Sequence, residues 1–275
     1  MRLVGLQHTD RASLNGHTEC VRILTETDKV EWNKRGERGC TALFNALNSG
    51  HSDTVEIIVQ QPNIDYNAKT DWDETLGHAA VLGGDGKCVE TLAAQEKFDC
   101  WNVPDSERNI PILMALQDGK TKIVQILANC PRINLNLVDW NFPDKLGKTP
   151  LYLALEKVEP DSVSFIVQQQ IIDYNVKSKH GITLAEVAVE GDLSVKCEEN
   201  KKCVEILAAQ EGCDCWNVPD WDGDTPIMRA QKWNRTDIVE ILLRCPRVDV
   251  NCRDKEGWSL LFIAIQKKNN LGEKI

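Results

Sequence analysis

Residues 220–251 read DWDGDTPIMRAQKWNRTDIVEILLRCPRVDVN. Asp220 to Thr225 is turn chemistry, and Gly223 takes a positive φ at no steric cost. Thr225 suits a helix N-cap, and Pro226 fits the first helical position, where its missing N–H is not needed. Ile227, Ala230 and Gln231 follow at helical spacing, with Ala230 small where another helix must come close. Asn234 and Arg235 break the run. Ile238, Ile241 and Leu242 then give the i, i+3, i+4 spacing of a second amphipathic helix, which Cys245, Pro246 and Arg247 end. The stretch predicts a turn, a helix, a short turn, a helix and an extended return.

Such a unit closes no core of its own. Each buried Leu, Ile or Val contributes roughly 1.5–3 kcal/mol, but only when a neighbour covers it. Neighbours are present. KCVETLAAQEKFDCWNVPD from Lys87 returns 115 residues later as KCVEILAAQEGCDCWNVPD from Lys202. ILANCPRINLN from Ile126 returns as ILLRCPRVDVN from Ile241. A shorter period lies inside the long one: Ala12, Ala46, Ala80, Ala115, Ala154, Ala188, Ala230 and Ala264 recur at steps of 34, 34, 35, 39, 34, 42 and 34. Val21, Val55, Val89, Val124, Val163 and Val239 follow nine residues after their alanines, while the sixth unit reaches Val204 after sixteen. Asn33, Asn67, Asn102, Asn136, Asn175, Asn217 and Asn251 come twelve or thirteen residues after the valines. Eight residues further on stands Thr41, Thr75, Ile110, Thr183, Thr225 or Ser259; the fifth unit has thirteen, from Asn136 to Thr149. Registered units stacked in a row predict a quasi-one-dimensional fold.

Composition sets the outer bounds. The chain has 275 residues, 42% hydrophobic and 27% charged, with a net charge of −10. That excludes a disordered or collagenous chain, and no apolar run approaches the ~20 residues of a membrane-spanning helix. The start, MRLVGLQHTDRASLNGH, has no signal-peptide core. An acidic chain with scattered Lys and Arg is poorly suited to nucleic acid. Eleven cysteines at irregular spacing cannot all pair with one another, and without a secretory signal they read as free thiols in a reducing compartment. The expectation is an intracellular, cytoplasmic or nuclear, monomer.

DGDTPIMRA, set beside the pattern D-x-x-G-x-T-P-L-H-x-A, resembles the ankyrin repeat, as do GKTPLYLAL from Gly147 and GCTALFNAL from Gly39. The resemblance implies an all-α solenoid of paired antiparallel helices with short β-hairpin or turn fingers. It would hold about eight units, approximately 1–35, 36–69, 70–103, 104–138, 139–177, 178–218, 219–253 and 254–275. Three features depart from the pattern. The helix-one histidine survives only as His78, the Thr-Pro pair only at 149–150 and 225–226, and Asp73 and Arg108 replace the turn glycine. Neither end reads as a polar capping repeat, so a truncated chain or part of a longer array is expected.

Catalytic signatures such as HExxH and GxSxG are missing. Gly83-Gly84-Asp85-Gly86-Lys87-Cys88 lacks the spacing of a phosphate loop and reads as a glycine-rich turn between helices. Asp220, Asp222 and Asp224 alternate as in an EF-hand, but the twelfth position is Gln231. Cys100 and Cys215, Cys130 and Cys245, and Cys88 and Cys203 are equivalent pairs in the duplication, which favours packing over metal binding. No cofactor, metal or catalytic residue is expected.

Tryptophans fall into two groups. Trp32, Trp101 and Trp216 precede the repeat asparagine, where Tyr66 and Tyr174 also sit, and read as packing. Trp72, Trp221 and Trp258 lie in turns, and Trp233 ends a first helix. In the ankyrin family, the turns and inner helices form a concave binding face. By that resemblance, its variable slots hold Arg38, Trp72, Lys145, Trp221, Lys232, Trp233 and Trp258. A five-residue insertion near Val138–Pro143 carries Trp140 as a partner contact or as a self-packed loop; seven more residues within Leu193–Asn200 read as a polar loop. Leu243 and Asp249-Val250 ahead of Asn251 resemble the setting of an asparaginyl hydroxylase substrate, which marks Asn251 as a candidate for hydroxylation. The function expected is non-catalytic binding of another protein on the concave face. The alternatives are a targeting segment of a larger enzyme, toxin or channel, and a structural spacer.

Overall fold

The computed structural model describes residues 4–27, 30–169, 171–191 and 197–272. The chain forms two compact units, the first ending at Val138 and the second beginning at Asp139.

The first unit holds four helix pairs: α1 (Val4–Leu14) with α2 (Thr18–Thr25), α3 (Ala42–Asn48) with α4 (Ser52–Val59), α5 (Leu76–Gly83) with α6 (Gly86–Ala93), and α7 (Pro111–Gln117) with α8 (Thr121–Ala128). First helices pack on first helices and second on second, in chain order. The sequence landmarks explain this. Ala46, Ala80 and Ala115 are buried where the first helices approach, and Val55, Val89 and Val124 where the second helices do. Close approach also explains the double glycine at 83–84. A Cβ on Gly83 would stand 2.0 Å from the Leu47 carbonyl oxygen, and Gly84 takes φ 75° to end α5. Asp85 then caps α6, its Oδ1 accepting from the Lys87 and Cys88 amides at 2.7 and 3.4 Å. A carboxylate therefore already occupies the donors that a phosphate would need.

The second unit holds α9 (Pro150–Glu156), α10 (Pro160–Val167), α11 (Leu184–Glu190), α12 (Cys197–Ala208), α13 (Pro226–Lys232), α14 (Thr236–Arg244) and α15 (Leu260–Gly272). Odd-numbered helices stack in one layer and even-numbered ones in the other. Thr149 caps α9 and Thr183 caps α11, the latter in a reciprocal pair with Glu186. Thr225 holds the N-cap position of α13 but makes no capping bond; its hydroxyl lies 3.3 Å from the Cys252 sulfur, and Pro226 starts the helix.

One expectation changes. The polar loop of the sixth unit is in part helix: Cys197 to Asn200 open α12, and the buried Asn200 donates to the Ala188 carbonyl at 2.9 Å and accepts from Arg235 at 2.5 Å. Residues 192–196 of that stretch lie outside the described residues. The eighth unit holds one helix, α15, which runs to Gly272. The fingers contain only isolated bridges among the described residues, Lys69–Thr75, Lys177–Thr183 and Arg253–Ser259, and so take the turn form of the expected fingers.

Candidate functional site

Each finger is a short turn with one internal frame. Its first residue donates its amide to the carbonyl of its fifth: Thr70 to Glu74, Asp105 to Asn109, Asp144 to Lys148, Ser178 to Ile182, Asp220 to Asp224 and Asp254 to Trp258. Where the first residue is Asp, its Oδ1 also accepts two amides, as Asp220 does from Asp222 (2.8 Å) and Asp224 (2.9 Å). Asp220 spends its Oδ1 on these bonds and Asp224 pairs with Lys232 at 2.6 Å, so two of the three alternating aspartates that resemble a calcium loop are already engaged. The fourth residue is left-handed in every finger, including Asp73 (φ 62°) and Arg108 (φ 69°), so the turns keep their shape where glycine is replaced.

A second recurring pair joins the fifth finger residue to the residue eight further on, at the end of the first helix. Gln117 donates to Asn109 at 3.2 Å, Lys148 to Glu156 at 2.6 Å, and Lys232 to Asp224 at 2.6 Å. This pair is visible in the sequence as a spacing of eight, a signal that sequence reasoning missed.

The candidates separate on this frame. Trp221 is 78% exposed at a finger tip, near Gly181 of the preceding finger. Trp72 and Trp258 are half-exposed; Arg38 lies 5.5 Å over the Trp72 ring, and Trp258 packs on Phe262 at 4.9 Å. Lys145 is exposed on its finger. Trp233 ends α13 with Arg229 stacked on its ring at 4.9 Å. Lys232 bridges two buried carboxylates, Asp224 and Asp254. Asn251 is exposed, its amide donating to Asp249 at 2.8 Å.

Trp140 is the correction. It is buried, with its ring edge-on to Phe165 at 5.7 Å, as Trp101 is to Phe98 at 4.8 Å. The reason lies in its neighbour. In the first unit, Asn33 and Asn102 each donate to a carbonyl some thirty residues on, at Asn63 and Arg132, and each accepts an amide two residues later. In the second unit, Asn141 does this with Ile171 (2.7 Å) and Asp173 (2.8 Å), and Asn217 with Arg247 and Asp249. Asn141, not Asn136, therefore fills the fifth repeat slot, eight residues before Thr149 as the period requires. Trp140 precedes it and packs as Trp101 and Trp216 do, so it leaves the candidate surface. The five extra residues fall before Trp140.

Two of the remaining candidates, Lys232 and Trp233, line an open pocket of about 380 Å³ in the second unit, together with Asp222, Asp224, Arg229, Lys255 and Glu256. Arg229 pairs with Asp220 and, at 3.0 Å, with Glu190. Burial raises the carboxyl pKa of Asp224 and of Glu190 above the usual range. Arg229, Glu190 and Asp254 are members that sequence reasoning missed, because only packing brings them together. Among the described residues, no group of three or more His, Cys, Asp or Glu is placed to hold a metal ion. Cys213 and Cys215 are buried thiols 3.2 Å apart, and Cys88, Cys100, Cys130, Cys203 and Cys245 are buried in the packing. The described residues include no helix long and apolar enough to cross a membrane.

The fold and its finger face define a class of repeat protein, and comparison places the chain within it. A family model described as Ankyrin repeats (3 copies) matches residues 11–70, 76–178 and 193–272. The chain belongs to the ankyrin-repeat family, whose repeats mediate protein–protein interaction. It is 25% identical over 164 residues to the Saccharomyces cerevisiae protein named "Probable 26S proteasome regulatory subunit p28", covering 58% of this chain and 66% of that one, just under two thirds of its length. It is 24% identical over 157 residues to an ankyrin repeat protein of Rickettsia bellii, covering 57% of this chain and 77% of that one.

Proposed function

We propose that this chain is a non-catalytic binding module that recognises another protein through the fingers and first helices of its second unit, the concave face by family resemblance. Trp221, Trp233, Trp258, Lys232 and Arg229 supply the contacts there, with Lys145 on an earlier finger of the same unit; Arg38 and Trp72 are separate candidate contacts of the first unit. The observation that carries this reading is Trp221, a large indole 78% exposed on the same finger that supplies Asp222 and Asp224 to an open charged pocket. An exposed Trp on a rigid frame is a typical binding anchor, and a stiff scaffold loses little conformational entropy on binding. The yeast relative named as a proteasome regulatory subunit is also a protein that works by association, which supports a binding role.

The test is affinity capture from extract of the source organism, comparing wild type with Trp221→Ala/Trp258→Ala. A protein recovered in stoichiometric amount with the wild type and lost with the double variant is the expected result. Recovery that does not change removes this face as the contact.

A further inference from the structure

The duplicated segments differ at a buried contact. Phe98 and Cys100 of the first copy become Cys213 and Cys215 of the second. In the first copy the Phe98 ring meets Trp101 edge-on at 4.8 Å, and the Cys100 thiol donates to Asn67 Oδ1 at 3.1 Å. In the second copy the equivalent asparagine, Asn175, turns to the backbone. Its Nδ2 donates to the Gly212 carbonyl at 3.4 Å, and its Oδ1 accepts from the Asp214 amide at 3.3 Å. The Cys215 thiol meets Cys213 instead, with the two sulfurs 3.2 Å apart.

Two thiols in contact are the reduced form of a disulfide already brought together. Bonded sulfurs lie about 2.05 Å apart, so a small rotation of the two side chains closes the gap. Both residues are almost fully buried, at 0% and 2% exposure. Burial shuts out bulky oxidants such as glutathione disulfide, while a molecule little larger than water enters on local opening. The two sulfurs are not equivalent. The Cys213 S–H donates to Cys215, which lowers the Cys215 pKa from the usual thiol value against the opposing effect of burial. The same bond, together with burial, raises the pKa of Cys213. Cys215 is therefore the attacking sulfur and Cys213 the resolving one.

We propose that Cys213 and Cys215 form an oxidative modification site, which hydrogen peroxide converts to an intramolecular disulfide. The Cys215 thiolate attacks one peroxide oxygen. An S–O bond forms, the O–O bond breaks, and the departing hydroxide joins the proton released by Cys215 as water. The Cys213 sulfur then attacks the sulfenic sulfur of Cys215. The S–S bond forms, the S–O bond breaks, and the hydroxyl leaves with the Cys213 proton as a second water. Two thiols lose two electrons, and one peroxide is reduced to two waters. A resolving thiol 3.2 Å away captures the sulfenic acid before a second peroxide carries it to sulfinic acid. The proposal is independent of the binding face set out above.

The experiment treats the full folded chain with hydrogen peroxide, removes the excess with catalase, and alkylates the remaining thiols with N-ethylmaleimide in denaturant. Cleavage after glutamate and arginine then gives residues 212–229, whose cysteines are Cys213 and Cys215, and residues 97–107, whose cysteine is the comparably buried Cys100. Mass spectrometry is expected to find 212–229 lighter by two hydrogens and without alkyl groups, while 97–107 still takes one. Dithiothreitol before alkylation is expected to restore both alkyl groups on 212–229. In Cys213→Ser, whose hydroxyl still donates to Cys215 but cannot resolve it, Cys215 is expected to gain two or three oxygens. Circular dichroism confirms that the variant folds. The proposal is overturned if 212–229 keeps both thiols for as long as Cys100 keeps its own, or if either cysteine pairs with a different one. Cys215 left as a free thiol in the folded Cys213→Ser variant also overturns it.

Discussion

His78 shows how one buried side chain ties two repeats together. Its Nδ1 accepts from the Thr75 amide at 3.1 Å, so the proton sits on Nε2, which donates to the Asn109 carbonyl at 2.9 Å. Burial lowers its pKa from the usual 6.5. Below pH 6.5 the unfolded chain binds a proton that the folded chain refuses. The stability is therefore fully present above that value and is lost as pH falls toward the lowered one, by at most about 1.4 kcal/mol per pH unit. Urea unfolding at pH 7.5 and 5.5 is expected to show a smaller drop in midpoint for His78→Gln than for wild type; equal drops contradict the assignment. Arg108 illustrates strain. It takes φ 69°, where a side chain costs about 1–2 kcal/mol and glycine nothing. After the extra chain entropy of glycine, Arg108→Gly is expected to stabilise by roughly 0.5–1 kcal/mol in the same assay; a loss of stability shows that the Arg108 side chain contributes more than its backbone strain costs.

At the scale of the element, Trp140 and Trp221 have similar turn-like surroundings in sequence and opposite fates. Trp140 is buried against Phe165, so Trp140→Ala is expected to cost about 3–5 kcal/mol. Trp221 is exposed, so Trp221→Ala is expected to shift stability by less than about 0.5 kcal/mol. Chemical unfolding of the two variants separates them, and a large loss for Trp221→Ala makes it a packing residue. The sequence contained the means to tell them apart: Trp140 lies beside Asn141, eight residues before Thr149. Helix pairs were legible because their burial is periodic, with alanine and valine recurring in register. The candidate site was half legible. Exposed indoles can be picked out along the chain, but the Arg229 pair with Glu190 depends on how α13 packs on α11, which no local spacing encodes. The helical start of α12 was hidden for a related reason. Cys197 to Asn200 are polar and read as loop, yet Asn200 is held by Ala188 and Arg235 from neighbouring helices.

At the scale of the molecule, each pair within a unit shelters the next, so a defect spreads only to adjacent elements of that unit. In the second unit, Ile227→Ala removes a fully buried side chain of α13, the helix that packs on α11 and α15 in its layer. Amides of α11, α13 and α15 are expected to exchange faster by hydrogen–deuterium exchange, and those of α9 much less. Uniform acceleration across α9 to α15 contradicts nearest-neighbour stability. The same method tests recognition most directly. With the captured partner bound, protection is expected at residues 220–225, 229–233 and 254–262, the fingers and first helices around Trp221. Protection confined to α10, α12 and α14, on the layer of second helices, would contradict it.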